Sequence, residues 1–499
     1  MPKWPDNAYG DKHPVEQVKE IEHTKCWCDI VREPGPSRQI PDEPASQMPG
    51  DFPNTSALPA TIPASAKSDS KADIEWLCHE GEARLATFLM SEAIPHKADS
   101  AESKSLCEWT YKDIQMLSAT TQEEWKATCQ HKLEMLWEHK VYELVDLPKG
   151  QKVISNWWVF DVKTDGRKCA RLVAKGFSQV EGIDFDQIFS PVVRFETVHL
   201  MLALSALENW HIRALDVWSA YLYGKLKEEI YMKQPEGFRV SGQEYKVLHL
   251  LHALHSLKQA RLAWWETLNK SMKDLGFEHL KSDASIFLFQ KKNTSIVVSV
   301  VYVDGALFCG PTKNLVDEVK GAFMHKWECK DLGPAKEFLH MKIWRNGSKI
   351  LIDQCTYLEK VLERFGMTNA RSATTPLPQG YYPLFYNGQV DSDVQSHFQQ
   401  VIGSLLYILL DTWPDIAYPV TALSQHAAKP SQEHLDKALY ICRYQLETRF
   451  YSLVFNGASK AGLIASTDSD WASDPNICHS QTGWFIKLAN CIFSWKSQQ

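Results

Sequence analysis

The chain has no hydrophobic run long enough to cross a bilayer. Its longest, residues 296–303, falls far short of the roughly 20 apolar residues a spanning helix needs, so membrane insertion is not expected. Paired cysteines are also missing: the twelve present are scattered singly apart from Cys26-x-Cys28. His23 lies near that pair, but no second ligand pair follows at zinc spacing. With no signal peptide ahead of them, these thiols imply a reduced, intracellular protein, cytoplasmic or nuclear. Excess positive charge is lacking too. Residues 1–110 hold 11 Lys+Arg against 19 Asp+Glu, which leaves 43 against 42 for residues 111–499. Near-neutrality over the larger part does not favour strong non-specific binding to nucleic acid, which shows as a basic face.

What is present sorts into a leader and a folded body. A length of 499 residues allows two to four domains. Residues 1–110 are acidic and rich in proline and serine, a composition that buries too little apolar surface to offset chain entropy. They read as a mostly disordered leader or linker, with short helical patches over 74–90. From about residue 123 the texture changes. Trp125, Leu133, Met135, Leu136 and Trp137 recur at helical spacing, residues 142–148 form a short strand ending at a turn, and 153–162 and 172–174 are strands. Lys163, Arg167, Lys168, Arg171 and Lys175 make a basic hairpin between them, suited to gripping phosphates or simply to facing water. Trp157 and Trp158 read as packing residues.

Residues 197–208 have helical periodicity, and 212–217 then form a buried strand with Asp216 inside it. A buried carboxylate is rare unless paired or bound to metal. Residues 247–277 read as largely helical. The apolar run from Ile296 next meets Tyr302-Val303-Asp304-Gly305, then Ala306-Leu307-Phe308. Asp304-Gly305 reads as a two-residue turn between strands, with Gly305 supplying the positive φ such turns favour. A long segment thus separates strand-borne Asp216 from hairpin-borne Asp304, two acidic elements that a sheet can converge on one site.

These residues carry a resemblance. Ala170-Arg171-Leu172-Val173-Ala174-Lys175-Gly176-Phe177, Phe189-Ser190-Pro191-Val192-Val193, Leu215-Asp216-Val217 with Ala220, and Leu257-Lys258-Gln259-Ala260 occur in one order. Gln234-Pro235-Glu236-Gly237-Phe238, Asp331-Leu332-Gly333, Ile402-Gly403-Ser404-Leu405-Leu406-Tyr407 and Asp468-Ser469-Asp470-Trp471-Ala472 extend the series. The chain resembles the reverse transcriptase of Ty1/copia-type retrotransposons. The resemblance implies an α+β fold, a right-hand polymerase of fingers, palm with antiparallel sheet, and thumb over residues 120–375. A connection region at 376–450 and a truncated RNase H-like α/β segment at 451–499 would follow. It implies RNA template, DNA primer and dNTPs as partners, and two Mg2+ ions as cofactors. Asp216 and Asp304 match the metal-binding carboxylates, with Val217 lending a backbone carbonyl. Tyr221 matches the aromatic ring beneath the incoming sugar. Arg171 and Lys175 match triphosphate contacts, and Lys258 and Gln259 the lining of the template and nucleotide pocket. Read from the residues alone, Tyr221 equally suits a core position, and Lys258 and Gln259 an exposed helix face.

Departures cluster on the chemistry. Gly305 stands where the family has a second Asp, Cys169 where it has Lys, Ser256 where it has Gly and Arg261 where it has Pro. One missing carboxylate weakens a site that must balance two divalent ions and a triphosphate. Asp468, Asp470 and Asp474 lack the later acidic partners of an RNase H centre, so no RNase H activity is expected. Two readings follow: an RNA-directed DNA polymerase impaired at Gly305, or a non-catalytic product, either a transposon remnant or a nucleic-acid-binding protein that keeps the cleft without turnover.

Overall fold

The computed structural model describes residues 106, 109–162, 166–291 and 295–499. The expectations for the leader, including the Cys26-x-Cys28 pair and the helical patches, lie outside the described residues. The described residues divide into two compact units, one ending at Phe338 and the other comprising Leu339–Gln499.

In the first unit, α1 (Tyr111–Gln115) is started by Thr110, whose N–H and hydroxyl both donate to Asp113 at 2.7 Å, satisfying orphan groups of the first turn. Helix α2 (Ala119–Glu138) buries Trp125, Cys129 and Leu136. The short strands β1 (Tyr142–Val145) and β2 (Val153–Ile154) precede an antiparallel ribbon, β3 (Asn156–Val162) with β4 (Lys168–Ala174). Its apolar face holds Trp158 and Phe160 opposite Leu172 and Ala170, and Trp125 meets Phe160 edge-on at 5.3 Å. Of the two tryptophans expected to pack, Trp158 does so, but Trp157 is 48% exposed. Alternation along a strand sends neighbouring side chains to opposite faces, so only one of the two can enter the core.

Helix α3 (Phe195–Leu207) leads into β5 (His211–Val217), then β6 (Lys225–Met232) and β7 (Val247–His252). Residues 247–252 are therefore strand, not the start of the helix expected over 247–277. The run Val247-Leu248-His249-Leu250-Leu251 suits a buried strand as well as a helix, and length alone could not decide. Strands β1, β7, β6 and β2 form one sheet in that order. Helix α4 (Ala260–Asp274) follows, then β8 (Phe277–His279), β9 (Ile286–Lys291), β10 (Ser295–Tyr302), β11 (Gly305–Gly310), α5 (Lys313–Met324), β12 (Cys329–Pro334) and the two-residue β13 (Glu337–Phe338). The principal sheet has six antiparallel strands in the order β12-β5-β11-β10-β9-β8. Its core joins Leu215, Val217, Trp264, Phe287, Phe308 and Phe323.

Two ion pairs fasten α5 to this sheet. Arg213 Nε lies 3.1 Å from Asp317 Oδ1, and Lys320, almost fully buried, donates to both oxygens of Asp331 at 2.7 and 2.6 Å. Asp331 in turn accepts from the Gly333 N–H at 2.8 Å. Gly333 sits at φ +69° beside a register shift in β12, where glycine avoids the clash of a left-handed side chain. The Asp331-Leu332-Gly333 motif is thus a bulge and tether for the sheet edge.

The second unit opens with Leu339 and His340 at φ 52° and 64°. The Tyr407 hydroxyl donates to the Leu339 carbonyl at 2.8 Å. Strands β14 (Met341–Asn346) and β15 (Lys349–Asp353) precede helices α6 (Cys355–Arg364), α7 (Ser392–Asp411), α8 (Ala417–Ser424) and α9 (Gln432–Thr448). Strand β16 (Leu453–Asn456) pairs with β15. Strands β17 (Ile464–Ser469), β18 (Thr482–Leu488) and β19 (Cys491–Gln498) form a second antiparallel sheet, tied to α7 by the Trp495 indole donating to the Leu409 carbonyl at 3.1 Å. His426 and His434 stack with ring centroids 4.2 Å apart. Burial lowers the pKa of both, with the neighbouring His434 as the next cause for His426, which falls to about 4 against the opposing pull of Asp474.

Two expected outcomes follow from this packing. The unfolded chain takes up a proton at His426 near pH 6.5 and the folded chain only near 4. Stability from keeping this ring neutral is therefore complete above pH 6.5 and is lost as pH falls toward 4, by up to about 3 kcal/mol. Thermal unfolding from pH 7.5 to 4.5 should show that loss, and His426→Phe should flatten it. Separately, a Cβ at Gly176 would stand 1.8 Å from the Ser256 carbonyl oxygen, and Ser256 occupies φ +68°. Gly176→Ala should cost roughly 1–3 kcal/mol by overpacking. Ser256→Gly should stabilise by roughly 0.5–1 kcal/mol by relieving the left-handed conformation. Chemical denaturation measures both.

Candidate active site

Strand β5 carries Asp216 one residue before the buried Val217. Register places Gly305 of β11 directly opposite Asp216, with Lys330 of β12 on its other side. The Val217 N–H donates to the Asp304 carbonyl at 2.8 Å, so the two aspartates sit at the end of one strand pair. The turn itself differs from expectation. Tyr302 pairs with Gly305, and the two turn residues are Val303 and Asp304. Val303 has φ 53°, the sign expected at the first turn position of a type II′ turn. Gly305 is the first residue of β11 and has no positive φ. The hairpin closes one residue earlier than the Asp-Gly signal suggested, because the Tyr302–Gly305 pair is set by the register of the whole six-stranded sheet.

This changes the meaning of Gly305. A Cβ there would meet the Phe338 ring at 3.4 Å and the Tyr302 carbonyl oxygen at 3.7 Å, which are ordinary contacts. The backbone does not require glycine. A side chain at 305 would share a sheet face with Asp216, with Cβ atoms about 4.5–5.5 Å apart as directly opposed residues are. Asp304 opens to solvent, yet the surrounding protein strips enough water to raise its carboxyl pKa, against the pull of the backbone N–H groups of residues 304 and 305.

Tyr221 lies on a short 3-10 turn, Ala220–Tyr223. Its ring meets His255 edge-on at 5.4 Å. Burial raises the phenol pKa, while the Arg261 guanidinium, which donates to the phenol oxygen, lowers it, and Asp304 and Tyr302 act on it by charge. Tyr221 therefore stands within electrostatic reach of Asp304. A shallow recess at this place is lined by Ser190, Pro191, Tyr221, Arg261, Tyr302 and Val303, which gives the Phe189-Ser190-Pro191 segment a place at the site.

The remaining candidates are placed further along the same unit. Arg171 Nη1 is 3.6 Å from Asp161 Oδ2 across the β3–β4 ribbon, and with Lys132 it acts by charge on His255, whose pKa burial lowers to about 4. The Lys175 ammonium lies over the Trp157 ring at 5.4 Å and that of Lys258 over Phe185 at 4.8 Å. Gln259 is buried, donating to the Asp184 carbonyl at 2.9 Å and accepting from Gln179 at 3.1 Å. The structure thus gathers Asp216, Val217, Asp304 and Tyr221, and holds Lys258 and Gln259 with residues 179–185. Arg261, Lys132 and Trp264, whose indole donates to the Val303 carbonyl at 2.6 Å, escaped sequence reasoning. In the sequence Arg261 stands out only as a departure from proline. The other two had no signal, since a helical lysine and a helical tryptophan read as surface and core.

Two carboxylates are a suitable donor set for Mg2+, which is held by one or two carboxylates and completes its shell with water and substrate phosphates. No group of three or more His, Cys, Asp or Glu that could hold a metal occurs among the described residues.

Comparison with known proteins fits this geometry. Residues 139–379 match the family model described as reverse transcriptase (RNA-dependent DNA polymerase). The chain carries a reverse transcriptase domain whose relatives are Pol polyproteins of Ty1/copia-type retrotransposons. It is 36% identical over 414 residues to the retrovirus-related Pol polyprotein from transposon TNT 1-94 of Nicotiana tabacum, covering 80% of this chain and 30% of that protein. It is 31% identical over 389 residues to the Pol polyprotein from transposon RE1 of Arabidopsis thaliana, covering 77% and 26%. A putative transposon Ty5-1 protein of Saccharomyces cerevisiae is 29% identical over 286 residues, 57% of this chain and 92% of that protein. The chain spans less than a third of the two Pol polyproteins. No helix among the described residues is long and apolar enough to cross a membrane.

Because nothing in the backbone at 305 calls for glycine, Gly305→Asp should fold and shift the thermal midpoint by only a few degrees, as expected for about 1 kcal/mol. Calorimetry of the two proteins tests this.

Proposed function

We propose that the chain is built for RNA-directed DNA synthesis by two-metal phosphoryl transfer, on an RNA template with a DNA primer and dNTPs, and that Gly305 impairs it. The observation that carries this reading is the register: Asp216 lies opposite position 305, and the Asp304 backbone is bonded to Val217. Asp216, Asp304 and the Val217 carbonyl would hold Mg2+, whose chemistry is to activate the primer hydroxyl and neutralise charge on the transferring and leaving phosphates. Asp304 has the pKa of a carboxylate stripped of water, so a cation at the site is favoured by the charge it compensates. Tyr221 would lie under the incoming sugar and exclude a ribose 2′-hydroxyl by contact, its phenol oriented by Arg261. Arg171 and Lys175, on and just past the β3–β4 ribbon, would reach the triphosphate as charge-assisted donors. Lys258 and Gln259 fit this reading as a strut that sets the loop of residues 179–185 against the start of α4.

With two acidic groups and Arg261 close by, the site has less negative charge than the three-carboxylate arrangement its family implies, so binding of a second cation is weakened. Fingers, palm and thumb over residues 120–375 belong to this reading. Residues 376–450 as a connection region and 451–499 as an RNase H-like segment belong to the same reading.

Primer extension on a homopolymer RNA template with Mg2+ or Mn2+ tests it. Native protein should extend weakly, Gly305→Asp should extend at least about tenfold faster, and Asp216→Asn in that background should abolish extension, as loss of a metal-binding carboxylate does. Absence of extension by native and Gly305→Asp protein alike would overturn the catalytic reading in favour of a remnant without turnover.

A further inference from the structure

Val303 is a β-branched residue held in the left-handed region, where a clash between Cβ and backbone costs about 1–2 kcal/mol. Such a conformation persists only where its surroundings over-determine it. Two hydrogen bonds do so here, one on each carbonyl flanking the Asp304 Cα. The Asp304 carbonyl accepts from Val217, on the strand that carries Asp216, at 2.8 Å. The Val303 carbonyl accepts from the Trp264 indole at 2.6 Å. Both peptide planes that aim the Asp304 side chain are therefore anchored, and the second anchor lies outside the sheet.

That anchor is rigid. Trp264 is buried on α4, boxed by Trp327 at 5.2 Å and Tyr223 at 6.1 Å. Its backbone is pressed against the turn that carries Tyr221: a Cβ on Gly224 would stand 2.7 Å from the Trp264 nitrogen. We infer that the Trp264 indole N–H is a positioning group that fixes the Asp304 carboxylate at the end of the strand pair that also carries Asp216. This rests on the polymerase reading for its catalytic consequence and on the geometry alone for its structural one.

The test uses the full chain and its Gly305→Asp variant. Trp264→Phe keeps an aromatic ring in the box and removes only the donor. Trp265→Phe is the matched control, since that neighbouring indole N–H is buried without a hydrogen-bond partner among the described residues. Hydrogen–deuterium exchange of residues 298–309 is read alongside primer extension. Trp264→Phe should speed exchange at residues 302–306 at least about tenfold, leave the rest of β10 and β11 protected, and lower kcat about tenfold with the dNTP KM within about twofold. Trp265→Phe should change neither. Unchanged exchange at 302–306 would overturn the inference, as would loosening of both strands with a matching loss of thermal stability, which marks a packing role. A matching effect of Trp265→Phe would overturn it too. If Gly305→Asp protein does not extend primers, the polymerase reading fails, and the exchange pattern still decides whether Trp264 holds the turn.

Discussion

The pairing of β5 with β11 is the constraint on which the rest of the site depends. It places Asp216 opposite residue 305, joins Val217 to the Asp304 carbonyl, and forces the hairpin to close at Val303 and Asp304. A slip of one residue would send Asp216 and its neighbours to the opposite face of the sheet. The register is protected against such a slip from several directions. Leu215, Val217 and Phe308 lock one face into the core. The Lys320–Asp331 and Arg213–Asp317 pairs hold α5 across β5 and β12. Breaking either pair by removing its acidic partner would leave a poorly hydrated cation, Arg213 or Lys320, beside the sheet.

Left-handed backbone recurs in both units with the same remedy. Val303 and Leu339 each carry a positive φ, and each has its carbonyl captured by an aromatic donor from a helix, Trp264 in one case and Tyr407 in the other. An aromatic donor suits this task because its ring is held by packing while its polar edge reaches a single acceptor. Ser256 and His340 are left-handed as well, and among these positions Ser256 is one where the family resemblance implied glycine.

Much of the fold was legible because the main sheet announces itself. The apolar run of β10, the strand around Asp216 and the helix over residues 195–207 all appear within a few residues of their expected bounds. Residues 247–252 misled because a short apolar run without polar–apolar alternation cannot be told from a helix by its periodicity. The turn misled for a different reason. Asp-Gly is a strong local signal, but the local preference yields to a ladder of cross-strand bonds that fixes register over the whole strand. Arg261 and Trp264 were out of reach since their roles exist only once α4 lies against the hairpin, a relation that no spacing in the chain encodes.

The ordinary backbone of Gly305 has an implication beyond enzymology. Had the turn demanded a left-handed residue there, the hairpin would have been rebuilt around glycine, and a return to aspartate would have been obstructed by the fold. The conformation instead accepts either residue. Replacing Gly305 by aspartate therefore meets no structural barrier in the turn. The sheet thus leaves room for an acidic side chain opposite Asp216.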